Sequence, residues 1–159
     1  MRGYYAEMGF VDKNGNTVLP IKVKYLRGIL PLEIFESGDW IDLRCGETVT
    51  LRKGEYALIP LGVAMELPDG YEAEVAPRSS TFGRYGILMV NSIGVIDESY
   101  NGDNDEWRFP ALAMRDTTIE RNTRIAQFRI RRHQPGVVLI PVESLGNSDR
   151  GGIGSTGKI

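Results

Sequence analysis

The stretch Tyr56-Ala57-Leu58-Ile59-Pro60-Leu61-Gly62-Val63-Ala64-Met65-Glu66-Leu67-Pro68-Asp69-Gly70-Tyr71-Glu72-Ala73-Glu74-Val75-Ala76-Pro77 decides the fold class. Its runs 56–61 and 71–75 are apolar or alternate between apolar and polar, the period of a strand whose successive side chains face opposite ways. Between them stands the turn dipeptide Asp69-Gly70, and prolines at 60, 68 and 77 forbid a continuous helix. The pattern repeats on either side. Comparable runs cover Ile21 to Leu26, Ile41 to Cys45, Thr48 to Leu51, Ile87 to Val90, Ala111 to Met114, Ile125 to Ile130 and Val137 to Val142, with further turns at Asn14-Gly15 and Asn101-Gly102. Short strands at near-regular spacing, with no long helix between them, predict an all-β antiparallel sandwich, jelly roll or barrel in one domain.

Bulk properties agree. The chain has 159 residues, 42% hydrophobic and 25% charged, which suits one ordinary globular core. No apolar run is long enough to span a bilayer, and no basic stretch leads into an apolar one at the N-terminus, so a soluble, cytoplasmic protein is expected, without a membrane partner. A net charge of −2 argues against binding long nucleic acid, which needs many cationic contacts. Arg121, Arg124, Arg129, Arg131 and Arg132 cluster, but alternation along a strand keeps them from forming one surface, and a solvated strand edge is expected there. Cys45 is the single cysteine, which excludes an intrachain disulfide and reads as a small buried hydrophobe.

Three segments carry chemistry. The tail Asp149-Arg150-Gly151-Gly152-Ile153-Gly154-Ser155-Thr156-Gly157-Lys158 has the makings of a phosphate loop: glycines let backbone N–H groups approach oxygens, hydroxyls donate, and Arg150 offers a planar fork. Gly152 to Lys158 fits G-x-x-x-x-G-K, yet Ile159 stands where a Walker loop needs Ser or Thr and no helix follows. With little to pack, residues 147–159 are expected to form a mobile arm on a domain of residues 1–146. Pro77-Arg78-Ser79-Ser80 joins one fork to adjacent hydroxyls at a strand end, which suits a phosphate group. In Asn91-Ser92-Ile93-Gly94-Val95-Ile96-Asp97-Glu98-Ser99-Tyr100, Asp97 ends an apolar run, where partial desolvation would fit it for general-base work. A β-hairpin bending there could offer backbone groups beside Asn91 and Ile96 to a pyrimidine edge, with Gly94 admitting close approach and Tyr100 packed on a sugar. Asp42 and Gln127 are polar positions inside strand-like runs.

Taken together and in this order, the segments around Asp42, Arg78-Ser79-Ser80, Asn91 to Tyr100, Gln127 and the glycine tail resemble the five motifs of the homotrimeric dUTPase (deoxyuridine 5'-triphosphate nucleotidohydrolase) family, including its phage-type and Gram-positive-type members. The resemblance covers about residues 20 to 158. It implies a jelly-roll (β-clip) subunit, a homotrimer with active sites shared between chains, and hydrolysis of dUTP to dUMP and pyrophosphate. By the same resemblance, Asn91, Gly94, Ile96 and Tyr100 surround uracil and deoxyribose, Tyr100 leaving no room for a 2′-hydroxyl. Asp97 would activate the attacking water and Gln127 help place it. Arg78, Ser79 and Ser80 would hold phosphate oxygens, and Asp42 would contact waters around a Mg2+ ion carried mainly by the phosphates. Arg150, Gly151, Gly152, Ser155 and Thr156 would close over the outer phosphates.

Two departures stand out. Ile153 sits where the family places an aromatic over the uracil, so another aromatic is expected to form the lid, Phe82 first and Tyr85 second. Asp103-Asn104-Asp105-Glu106-Trp107 resembles a short insertion after Tyr100; it lacks the offsets of a calcium loop and reads as an exposed turn. The related dCTP deaminases need a glutamate on the strand after the hairpin, and Arg108 to Met114 holds no carboxylate. A regulatory, protein-binding role on the same fold would be compatible with catalysis.

Overall fold

The computed structural model describes residues 9–151. In chain order its elements are β1 (Lys22–Tyr25), β2 (Ile41–Arg44), β3 (Val49–Leu51), β4 (Tyr56–Pro60), β5 (Val63–Glu66), β6 (Tyr71–Pro77), the short helix α1 (Thr81–Tyr85), β7 (Ile87–Met89), β8 (Gly94–Ile96), β9 (Arg108–Ala113), β10 (Thr117–Ile119) and β11 (Arg124–Arg132). Every pairing is antiparallel. The strands form sheets ordered β2-β11-β6-β8 and β4-β9-β7, with the two-stranded pairs β1-β5 and β10-β3 beside them. This is the all-β antiparallel architecture expected from the alternation, and the jelly roll that the resemblance implies.

Both sheets close on one core. Leu43, Ile59, Leu61, Val63, Val75, Phe109, Ile119, Ile125 and Phe128 are among its buried members. Trp107 meets Phe128 edge to face, ring centroids 5.2 Å apart at 86°, a favoured geometry for aromatic quadrupoles. Cys45 lies in the same core, and burial pushes its thiol up to about 11, so it is an inert hydrophobe as expected. Pro110 sits inside β9, between two strands. Its carbonyl accepts Val90 N–H at 3.0 Å, one residue beyond the end of β7, so its missing N–H falls where that ladder has run out.

Four sequence expectations fail, each for a physical reason. Residues 137–142 form no strand and pair with none among the described residues; every residue from 134 to 151 is exposed. The segment 91–100 is not a paired hairpin, since β7 joins β9 while β8 joins β6, and the chain crosses between sheets there. Ser92 makes that crossing in the left-handed region, φ 60°. β11 is no solvated edge: it lies between β2 and β6, and its arginines are ion-paired or stacked. Arg129 and Arg131 both hold Glu74, whose carboxyl they keep below its usual range, Arg131 contributing most. Finally, the 103–107 segment is a turn closed on itself, Gly102 N–H to Asp105 Oδ2 at 2.7 Å, but it is not wholly exposed, because Glu106 and Trp107 are buried.

Candidate active site

The sequence-selected residues collect at two places on the four-stranded sheet. One is the end of β6 that leads into α1. There β2 sets Asp42 opposite Gln127 of β11, and Gln127 opposite Ala76 of β6. Arg78, the residue after β6, brings Nε to 2.7 Å from Asp42 Oδ1, while Arg124 Nη1 lies 3.2 Å from Oδ2. Gln127 Nε2 donates to the Pro77 carbonyl at 3.2 Å. The loop is fastened from below by Thr81, whose hydroxyl donates to the Ile125 carbonyl at 2.7 Å. Asp42 thus aims a guanidinium whose terminal N–H groups have no partner among the described residues. An arginine carries five donors in a fixed fork, and one engaged at Nε leaves the others for an anion. Ser79 and Ser80 stand beside it, and Ser80 makes no side-chain cap bond to α1. Arg124, which the sequence reading assigned to a solvated edge, belongs to this cluster.

The other place is a cleft of about 250 Å³ along the edge strand β8. Asn91, Gly94, Ile96 and Tyr100 line it, together with Leu58, Val95, Glu106, Trp107, Arg108 and Pro110. A mostly apolar cleft with an amide, a phenol and free backbone edges has the make-up of a small-molecule site. Gly94 is needed here for packing: a Cβ would come within 3.2 Å of Val75 Cβ and 3.3 Å of Met89 Cε. Replacing Gly94 by Ala is expected to cost about 1–3 kcal/mol through overpacking of that wall, measured as a lower urea midpoint at unchanged slope.

Asp97 follows Ile96 at this cleft. The anticipated desolvation is not what governs it, since the side chain is exposed and Ser99 N–H donates to Oδ1 at 2.9 Å. The Ser99 backbone bond, then the Ser99 side chain, hold its carboxyl below the usual carboxylate value of 3.8, with a smaller contribution from His133. It is therefore charged at neutral pH and able to accept a proton.

Within one chain the two places do not meet. β8 pairs with β6 so that Ile96 faces Ala73, which sets Asp97 beside Glu72, whereas Arg78 lies six residues further along. At about 3.3 Å per residue the separation is about 20 Å. Phe82, on α1 beside Arg78, is 52% exposed and does not line the cleft. Tyr85 is half-buried against the core, which removes it as a lid. Arg150 and Gly151 are exposed, and neither lines the cleft. Gly152, Ile153, Ser155 and Thr156 lie outside the described residues. Sequence reading missed Arg27, whose fork grips the buried Glu106 carboxylate; a long-range pair of this kind leaves no local signature.

The fold and these two sites define an antiparallel jelly-roll subunit with a polar-edged apolar cleft along β8 and an arginine–carboxylate cluster at the end of β6. A family model described as dUTPase matches residues 40–157. The SPbeta prophage-derived deoxyuridine 5'-triphosphate nucleotidohydrolase YosS of Bacillus subtilis strain 168 is 59% identical over 140 residues, covering 87% of this chain and 99% of its own length. A deoxyuridine 5'-triphosphate nucleotidohydrolase of Anaeromyxobacter sp. strain Fw109-5 is 42% identical over 124 residues, 74% of this chain and 80% of its own. Among solved structures, the Staphylococcus bacteriophage 80alpha dUTPase with dUPNHPP has the same fold, with a TM-score of 0.74 at 22% identity, covering 87% of this chain and 99% of that one. The dUTPase from Streptococcus mutans follows at 0.63 and 22%, covering 76% and 98%. The chain belongs to the dUTPase family, and the prophage-derived relative aligns it with the phage-type members.

Proposed function

We propose that this protein hydrolyses dUTP to dUMP and pyrophosphate at sites shared between subunits of a homotrimer. The observation that carries the reading is the cleft lined by Asn91, Gly94, Ile96 and Tyr100 with Asp97 next in the chain. Uracil lies against the backbone edges beside Asn91 and Ile96, and the deoxyribose against Tyr100. A cytosine amino group would set donor against donor there, leaving buried groups unpaired at about 1–3 kcal/mol each. Asp97 takes a proton from a water whose oxygen forms a bond to the α-phosphorus; the bond from that phosphorus to the β-bridging oxygen breaks, and pyrophosphate leaves on the far side.

Arg78, Ser79, Ser80 and Gln127 hold the phosphates and the water. Reacting atoms must approach within about 3–3.5 Å. Arg78 and Asp97 of one chain, about 20 Å apart along β6, therefore serve different sites, the second set of residues coming from a neighbouring subunit. The apolar stretch 137–145 supports the same assembly, since Leu139 is 89% and Leu145 82% exposed among the described residues and a neighbouring subunit would cover them. Residues 147–159 close over the outer phosphates, carrying Arg150, Gly151, Gly152, Ser155 and Thr156 to them. Phe82 travels with Arg78 and covers the base in place of Ile153.

Asp42 suits a Mg2+ ion held through water. Its two oxygens accept from Arg78 and Arg124, which leaves about two of a carboxylate's four acceptor positions for water. Among the described residues no group of three His, Cys, Asp or Glu could grip a metal directly, and a Mg2+ ion here would take its other ligands from water and substrate oxygens. When bound, such an ion would supply charge neutralisation for the phosphates, with Asp42 holding its waters.

The substrate test is pyrophosphate release from dUTP, dTTP, dCTP and UTP with magnesium. Activity confined to dUTP is expected, and comparable turnover of all four would refute the assigned cleft. Ammonia release from dCTP would favour the deaminase alternative, for which β9 supplies no carboxylate. A protein-binding role would be additional, because the residues assigned to catalysis are chemically competent.

A further inference from the structure

Arg27 follows β1 by two residues and adopts the left-handed backbone, φ 56°, uncommon for a residue with a side chain. That conformation throws its guanidinium across to the residue before Trp107. Nε donates to Glu106 Oε1 at 2.7 Å and Nη2 to Oε2 at 3.0 Å, a two-pronged grip. The Glu106 side chain is only 7% exposed and also accepts the Gly62 N–H at 3.1 Å. Gly62 has no room for a side chain, as a Cβ would lie 2.7 Å from Ile29 Cγ2. The buried carboxylate is thus fixed by Arg27 and the Gly62 N–H, with Arg108 Nη2 a further 3.6 Å from Oε2, while the half-exposed Arg27 fork also reaches Glu47 at 2.7 Å. The same Glu106 lines the cleft, and its carbonyl accepts the Tyr100 hydroxyl at 3.4 Å. The next residue, Trp107, is locked by its N–H to the Val63 carbonyl at 2.9 Å.

We propose that the Arg27–Glu106 pair is a positioning device for nucleotide selection, holding the Tyr100 phenol at the cleft wall where it excludes a 2′-hydroxyl. The inference rests on the reading of this cleft as the deoxyuridine site. Arg27 itself does not line the cleft, so it acts through Glu106 and not on the substrate. A pair that merely ties the β1–β5 end to β9 would contribute stability without touching sugar selection. A displaced phenol would instead weaken dUTP binding and admit UTP, while leaving Asp97 and the phosphate cluster as they are.

The test compares full-length wild type, Arg27→Lys, Glu106→Gln and Tyr100→Phe for kcat and KM on dUTP and UTP, with melting temperatures alongside. Arg27→Lys keeps the charge but not the fork. We expect it to raise KM for dUTP and lower the dUTP:UTP ratio of kcat/KM about tenfold, with kcat within about twofold of wild type, the scale expected of sub-ångström misplacement. Tyr100→Phe should lower the same ratio, and adding Arg27→Lys to it should lower it no further. A ratio within about twofold of wild type in Arg27→Lys overturns the inference whatever its melting temperature. Should Glu106→Gln fail to fold, the half-exposed Arg27 still decides. A wild-type enzyme inactive on dUTP sinks the site reading and this inference together; an active one with an unchanged ratio sinks the inference alone.

Discussion

Asp97→Asn is expected to lower kcat for dUTP by about 10³, within the range contributed by a positioned general base, while leaving the fold intact. The amide is isosteric, and its Oδ1 can still accept the Ser99 N–H that the carboxylate accepts at 2.9 Å. Because the side chain is exposed, the melting temperature should stay close to that of wild type. The pH dependence has a fixed sign. The folded value of this carboxyl is lowered by Ser99, so its small stabilising effect, like its basicity, is present above the ordinary carboxylate range and is lost as pH falls through the folded value. Wild-type kcat/KM should therefore show an acid limb and no alkaline limb from this group, and the limb should be missing in Asp97→Asn. Stopped-flow pyrophosphate release, followed from below pH 3.8 up to pH 8, would register both effects.

Arg78→Met should cost about 10²–10³ in kcat/KM, the loss attached to one charged donor aimed at a developing phosphoryl charge. The residue's geometry supports that magnitude. Asp42 holds Nε at 2.7 Å and so fixes the plane of the fork before substrate arrives. Methionine keeps the aliphatic volume, which isolates the loss of the charge from a loss of packing. Asp42 retains Arg124 at 3.2 Å, so the carboxylate is not abandoned and the protein should remain folded. Lysine should rescue little, since a point charge cannot reproduce a planar fork held at one nitrogen. An effect under about fivefold would remove Arg78 from the phosphate site.

What the sequence made legible follows the physics of each segment. β6 and β11 announce themselves because polar and apolar residues alternate through much of each, and β4 as a short apolar run, even though Glu74 of β6 is itself buried. β5 was hidden because Val63, Ala64 and Met65 are all buried and run on from Leu61, with Gly62 turning the chain at φ 69°. β10 is three residues with two threonines, held by pairing to β3 and by a Thr50–Thr118 hydroxyl contact of 3.0 Å that no local pattern reveals. The run 137–142 has strand composition without a strand partner among the described residues, and a strand exists only by pairing. For the site, residue types at Asp42, Arg78, Gln127, Asp97 and Tyr100 marked out the chemistry. Their division between opposite ends of β6 depended on strand register, which periodicity alone does not supply. Glu106 was read as part of a solvated acidic turn because its partner, Arg27, stands 79 residues away.

The claim on which the account turns is that Asp97 and Arg78 of different chains serve one phosphate. Co-refolding Asp97→Asn with Arg78→Met in equal amounts tests it most directly. Each variant alone is nearly inactive, but if a site draws these residues from two chains of a symmetric trimer, about a quarter of the sites in a random mixture receive both intact. Recovery of about a quarter of wild-type dUTP hydrolysis is the predicted result. A mixture no more active than the average of the two variants, with trimers confirmed by sedimentation, would place both residues in the same chain's site and contradict the account.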